Sequence, residues 1–145
     1  MVNVDKETTS YPDIQIFTDG GSRGNPGKSA SGYVIMTTDE VVIETGGEYL
    51  GITTNNQAEY QAVRLALEQA RKFNPLAVRL FIDSELVVKQ INGQYRIRNR
   101  ELWPIHSDIK KLMSEFPSVT FTHVRREFNK LADAQVNRIL DEHIS

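Results

Sequence analysis

Apolar residues along Ile14-Gln15-Ile16-Phe17-Thr18 have the two-residue rhythm of a strand. The run that follows, Gly20-Gly21-Ser22-Arg23-Gly24-Asn25-Pro26-Gly27, is rich in residues that permit unusual backbone angles, and it is expected to stop that strand. Residues 31–37 and 41–50 flank a polar turn at Thr38-Asp39-Glu40, the pattern of an antiparallel hairpin. From residue 55 to 73 the spacing becomes helical, with Val63, Ala66, Ala70 and Phe73 on one stripe and Asn74-Pro75 as the stop. A fourth strand over 78–82 leads to a helix over 84–91 that ends at Asn92-Gly93. A polar link with Arg96, Arg98 and Arg100 enters a helix over 102–116, whose first turn accommodates Pro104. A fifth strand over 119–124 precedes a last helix over 129–143. The order βββαβααβα predicts an α/β fold with one mixed five-stranded sheet and helices covering its faces.

A chain of 145 residues that is 39% apolar and 25% charged suits one domain with a continuous core. Residues 1–12 are polar and aperiodic and read as a flexible leader, with the folded domain over 13–145. The longest apolar runs, such as Tyr33-Val34-Ile35-Met36, fall far short of the roughly 20 residues that span a bilayer. The N-terminus carries acids where a secretory signal needs an apolar stretch, so no membrane role and a cytoplasmic setting are expected. The absence of cysteine excludes disulfides, thiolate nucleophiles and cysteine-held zinc, which leaves oxygen or imidazole for any metal. A net charge of -2 argues against indiscriminate nucleic-acid binding, yet residues 89–130 hold nine Lys/Arg against four Asp/Glu.

Four carboxylates break the hydrophobic pattern. Phe17 and Asp19 share a strand face, and Phe81 and Asp83 repeat the arrangement. If the two strands are parallel neighbours at about 4.8 Å, both acids stand at the carboxyl edge of the sheet, where open α/β sheets bind ligands. Glu59 heads the apolar stripe of its helix, and Asp133 stands likewise ahead of Val136, Leu140 and Ile144. One acid at a helix start favourably opposes the helix dipole. Four inward-facing acids from four element ends need a cation, and a hard-oxygen set selects Mg²⁺ or Mn²⁺. Such a cluster suits two-metal phosphodiester hydrolysis. A serine nucleophile lacks a histidine base in an evident position, and the glycine-rich run lacks the Lys-[Ser/Thr] ending of a P-loop.

Four blocks together resemble type 1 ribonuclease H: Asp19-Gly-Gly-Ser-Arg-Gly-Asn-Pro-Gly27, Thr53-Thr-Asn-Asn-Gln-Ala-Glu-Tyr60, Asp83-Ser-Glu-Leu-Val87 and Asn129-Lys-Leu-Ala-Asp133. The resemblance implies a ribonuclease H-like sheet and a monomeric endonuclease that cuts the RNA strand of RNA–DNA hybrids, leaving 5′-phosphate and 3′-hydroxyl ends. Asp19, Glu59, Asp83 and Asp133 then correspond to the family's acidic tetrad, which holds two Mg²⁺ ions with substrate, Mn²⁺ being possible. Gly20, Gly21, Ser22, Asn55, Asn56 and Gln57 resemble the segments facing the minor groove of the hybrid, where ribose 2′-hydroxyls distinguish RNA. Asn25 and Thr54 resemble positions near phosphate or the substrate strands. Asn55 also reads as a plain helix cap, and Asn25-Pro26-Gly27 as a plain turn.

The chain departs from longer members of that family in two places. A short link over 92–101 replaces their lysine-rich helical handle, with Lys89, Arg96, Arg98 and Arg100 as partial substitutes. Where they carry a loop histidine before the last acid, His123 here falls within the predicted strand, on its packing side; Arg126, seven residues before Asp133, resembles the pattern of shorter members of the family and is by that resemblance the better candidate for a cationic assistant. His106 and His143 read as surface residues and Trp103 as a core anchor. The rival readings are a hybrid-binding module without catalysis and another nuclease of the wider superfamily.

Overall fold

A computed structural model of the chain describes residues 10–143. Its five strands are β1 (Asp13–Arg23), β2 (Gly27–Thr37), β3 (Val42–Thr53), β4 (Ala77–Ile82) and β5 (Ser118–His123). Its helices are α1 (Asn55–Ala70), α2 (Glu85–Ile91), α3 (Trp103–Met113) and α4 (Lys130–Glu142). The strands form one sheet in the order β3-β2-β1-β4-β5, with β1, β2 and β3 antiparallel and β4 and β5 parallel to β1. This is the predicted architecture.

One face of the sheet buries Ile14, Ile16, Ile35, Leu80 and Ile82 against Tyr60, Val63 and Leu67 of α1 and Ile105 and Ile109 of α3. A smaller cluster on the other face joins Ala30 to Val136, Ile139 and Leu140 of α4. Phe17 and Phe81 stack across β1 and β4 with centroids 4.9 Å apart, which supports the register Phe17↔Phe81.

The largest departure from expectation lies in β1. Residues 20–23 do not end the strand; they continue it, paired with β2 from Gly20↔Ser31 to Arg23↔Lys28. Backbone hydrogen bonding to an antiparallel neighbour overrides the weak strand preference of glycine and serine. Only the parallel pairing to β4 stops early, at Thr18↔Ile82. Asp19 therefore sits inside β1 but at the open end of its groove with β4.

Helix α1 starts at a capping box in which Thr54 Oγ1 accepts from Gln57 N and Gln57 Oε1 accepts from Thr54 N. Helix α3 stops at Met113, three residues short of the predicted end. Residues 1–9 of the expected leader lie outside the described residues, and its last residues are docked: Tyr11 N donates to Phe73 O at 3.0 Å, and the two rings meet edge to face. Trp103 is not a core anchor. It is 51% exposed, with Nε1 donating to Ile97 O.

Two positions without side chains let the helices close on Asp19 from opposite faces. A Cβ at Gly20 would lie 2.2 Å from the Ala58 carbonyl carbon and 2.4 Å from Glu59 N in α1. At Gly32, the β2 partner of Asp19, a Cβ would lie 2.9 Å from Ala132 O and 3.1 Å from Val136 N in α4. Gly21 differs, since a Cβ there would meet only Val136 Cγ1 at 3.7 Å. Gly20→Ala is expected to lose at least about 1–3 kcal/mol of stability through overpacking against backbone. Gly21→Ala should stay within about 0.5 kcal/mol of the parent, the scale of a substitution with no such conflict. Urea denaturation of the two variants checks the contrast, and equal midpoints would contradict it.

Candidate active site

The open end of the β1–β4 groove holds the four predicted acids. Asp19 comes from β1, Asp83 from the residue after β4, Glu59 from the first turns of α1 and Asp133 from the first turn of α4. One carboxylate oxygen each of Asp19, Glu59 and Asp83 lies within 4.8 Å of the others. Asp133 stands beside Asp19, close enough to raise its proton affinity, while the Gly20 backbone favours the ionised form. A polar cavity of about 480 Å³ opens over the group and is also lined by Gly20, Gly21, Ser22, Arg23, Asn55, Arg126 and Asn137.

Buried, crowded carboxylates dominate the electrostatics. Burial first, then Asp83 and Asp133, push the Asp19 carboxyl up to about 8. Burial, then Asp19 and Asp83, push Glu59 up to about 8 as well, with Arg126 opposing the shift. Two unit charges 4.8 Å apart repel by roughly 3–4 kcal/mol at an effective dielectric near 20, so the ionised set is unfavourable until a cation joins it. The donor atoms are hard carboxylate oxygens, and the residues present fit a divalent ion of the Mg²⁺ or Mn²⁺ class.

The residues expected at the substrate divide by what they touch. Gly21, Ser22 and Asn55 face the cavity, and Asn55 Oδ1 accepts from Ser22 N at 2.8 Å. Gly20 lines it too, but its missing side chain is already required by the approach of α1. Thr54 and Gln57 use their side chains on each other in the capping box, so Thr54, not Asn55, is the cap. Asn25 is a brace whose Oδ1 accepts from Asn55 N at 3.1 Å. Asn56 faces a second groove, beside Leu86, Tyr95, Arg96 and Arg98.

Arg126 lines the acid cavity. His123 lies in β5 as expected but is its last residue, one short of the predicted strand end, and its side chain is exposed and packs on no core face, because the sheet ends there. Two residues escaped the sequence reading. Asn137 donates to Asp133 Oδ2 at 3.2 Å, a contact foreshadowed by the i,i+4 spacing on one helix. Asn129, which the sequence alone places at the start of the last helix without a role of its own, donates to Asp83 Oδ2 at 3.0 Å.

A family model described as reverse transcriptase-like matches residues 17–139. A ribonuclease HI of Halobacterium salinarum is 39% identical over 129 residues, covering 89% of this chain. The crystal structure of an RNase H1 from Halobacterium salinarum covers 90% of the chain and 98% of its own length, at 38% identity with a TM-score of 0.86. That of LC11-RNase H1 in complex with RNA/DNA hybrid covers 91% and 99%, at 37% identity and 0.87. The chain spans 65% of the length of the Halobacterium ribonuclease HI and 35% of the mycobacterial relatives it matches.

A metal-free prediction follows from the raised acids. Between a carboxyl's ordinary value near 4 and the folded value near 8, the native protein holds a proton that the unfolded chain has released. The contribution of these groups is therefore complete below about 4 and is lost as pH rises through about 8. In EDTA, the melting temperature of Asp19→Asn should match the parent near pH 4 and exceed it increasingly toward pH 8. Added Mg²⁺ should raise the parent and not the variant. Calorimetry that finds Asp19→Asn strongly destabilised throughout would make this acid a structural one.

Proposed function

The chain belongs to the ribonuclease H family, and on that premise we propose that it is an endonuclease hydrolysing the RNA strand of RNA–DNA hybrids with two Mg²⁺ ions, Mn²⁺ serving as a substitute. The observation that carries this reading is the meeting of Asp19, Glu59 and Asp83 within 4.8 Å, with Asp133 lining the same cavity. When bound, such a pair of ions supplies a water of lowered pKa and stabilises the leaving oxygen. Asp19, Glu59, Asp83 and Asp133 would hold the ions, with Asp19 and Glu59 giving up their protons on loading. Every group invoked comes from one chain, so a single copy suffices.

Recognition is assigned to the cavity rim and the neighbouring groove. Asn55 satisfies Oδ1 internally through Ser22 and keeps its Nδ2 protons for an incoming acceptor such as a ribose 2′-hydroxyl. Beyond Asn56, the groove beside Tyr95, Arg96 and Arg98 carries part of the basic excess of residues 89–130. It is placed to follow the backbone of the second strand, with an affinity that falls with salt. Arg126 is positioned to offset charge developing at the cleaved phosphate.

The test is a labelled panel of RNA–DNA hybrid, double-stranded RNA and double-stranded DNA, assayed with Mg²⁺ and with EDTA. Only the hybrid should be cut, only with the metal, and Asp19→Asn and Asp83→Asn should each lose nearly all cleavage while remaining folded. Hybrid binding without cleavage at any metal concentration would favour a binding module, and cleavage of DNA duplex would favour another nuclease type.

Arg126→Ala should lower kcat by about 10–100-fold, a reduced version of losing one buried positioned donor, with hybrid affinity little changed. His123→Ala should leave both kcat and stability near the parent, since the side chain is exposed. Loss of turnover in His123→Ala with an active Arg126→Ala would reverse the assignment.

A further inference from the structure

Asn129 stands one residue before α4, where an asparagine ordinarily caps the helix, yet its side chain makes no cap hydrogen bond. It is 1% exposed. Its Nδ2 donates twice, at 2.9 Å to the backbone carbonyl of Thr18 and at 3.0 Å to Asp83 Oδ2. Both amide protons are thereby used. The reverse orientation would set Oδ1 against a carbonyl and a carboxylate, so these two acceptors fix the amide. Oδ1 itself is buried without a partner among the described residues.

A helix start that forgoes its cap and buries an unpaired acceptor accepts two costs. What the arrangement secures is a link between acids that belong to different elements. Thr18 is the residue before Asp19, so one amide grips the backbone leading into Asp19 and the carboxylate of Asp83. The backbone of Asn129 also accepts from Asp133 N at 3.1 Å, which ties the same residue to the acid on α4. We infer that Asn129 is a positioning residue that sets the spacing of Asp83 against Asp19 and Asp133 and orients Asp83 Oδ2 for a divalent ion. The inference rests on the reading of Asp83 as a metal ligand.

The experiment measures Mg²⁺ affinity without substrate, from melting temperature against Mg²⁺ concentration, together with steady-state hybrid cleavage by the full chain. Asn129→Ala should weaken Mg²⁺ binding about 10–100-fold, the range found for groups that orient metal ligands, and should lower kcat with little change in KM. Asn129→Asp, of equal size but presenting oxygen to both acceptors, should lose at least as much. Asn129→Ser, able to donate to one acceptor at most, should fall between and serves if the other two fail to fold. Leu112→Ala, a core truncation in α3, should lose stability yet keep its Mg²⁺ affinity.

Folded Asn129 variants with parental Mg²⁺ affinity and kcat would overturn the inference, as would an equal loss of Mg²⁺ affinity in Leu112→Ala. Loss of Mg²⁺ binding in Asp83→Asn but not in the Asn129 variants would sink the positioning role alone. Retention of both binding and cleavage in Asp83→Asn would sink the metal-ligand reading beneath it.

Discussion

Two helices must come within backbone contact of one sheet at the same height, and the acid site depends on that constraint. Helix α1 closes over Gly20 from one face, and α4 closes over Gly32 from the other. Gly32 is the β2 partner of Asp19 and Gly20 is its sequence neighbour, so the two absent side chains flank a single carboxylate. Glu59 and Asp133 arrive near Asp19 because the elements that carry them have nowhere else to sit. Ser31 reinforces the approach on the α1 side, its Oγ donating to Ala58 O at 2.7 Å in the buried interior.

That geometry works against the stability of the metal-free protein. Burial and mutual repulsion hold Asp19 and Glu59 well above the ordinary carboxylate range, a penalty that the core on both faces of the sheet has to absorb. The same proximity that raises the proton affinity of the acids supplies a dense set of oxygen ligands that could hold a cation. Carboxylates crowded this way are costly as structure and effective as ligands.

The surroundings show how polar side chains are shared between holding and recognising. Asn55 gives its carbonyl oxygen to Ser22 and its backbone N–H to Asn25, which welds the β1–β2 turn to the start of α1. Thr54 and Gln57 are consumed by the cap, while Asn56 turns to a different groove. A run of adjacent polar residues thus serves three separate tasks, and their adjacency in sequence carries no information about which residue performs which.

The sequence by itself determined the element order, the repeated Phe-x-Asp at the ends of two strands, and the inward placement of Glu59 and Asp133, because periods of two and 3.6 residues are local properties of the chain; that the two strands are parallel neighbours is set by the sheet. It did not reveal that β1 runs on to Arg23, since that extension comes from hydrogen bonds to β2, and the residues involved have little strand preference of their own. Nor could it place His123 in solvent, because alternation marks a face but not where the cover over that face ends. Asn129 is the sharpest case. Its place at the start of the predicted helix gives no sign of a link to another element, and only the packing of α4 against β1, β2 and β3 brings its amide to Asp83 and Thr18. Local spacing fixes which way a side chain points along its own element; what it meets there is decided by chain more than a hundred residues away.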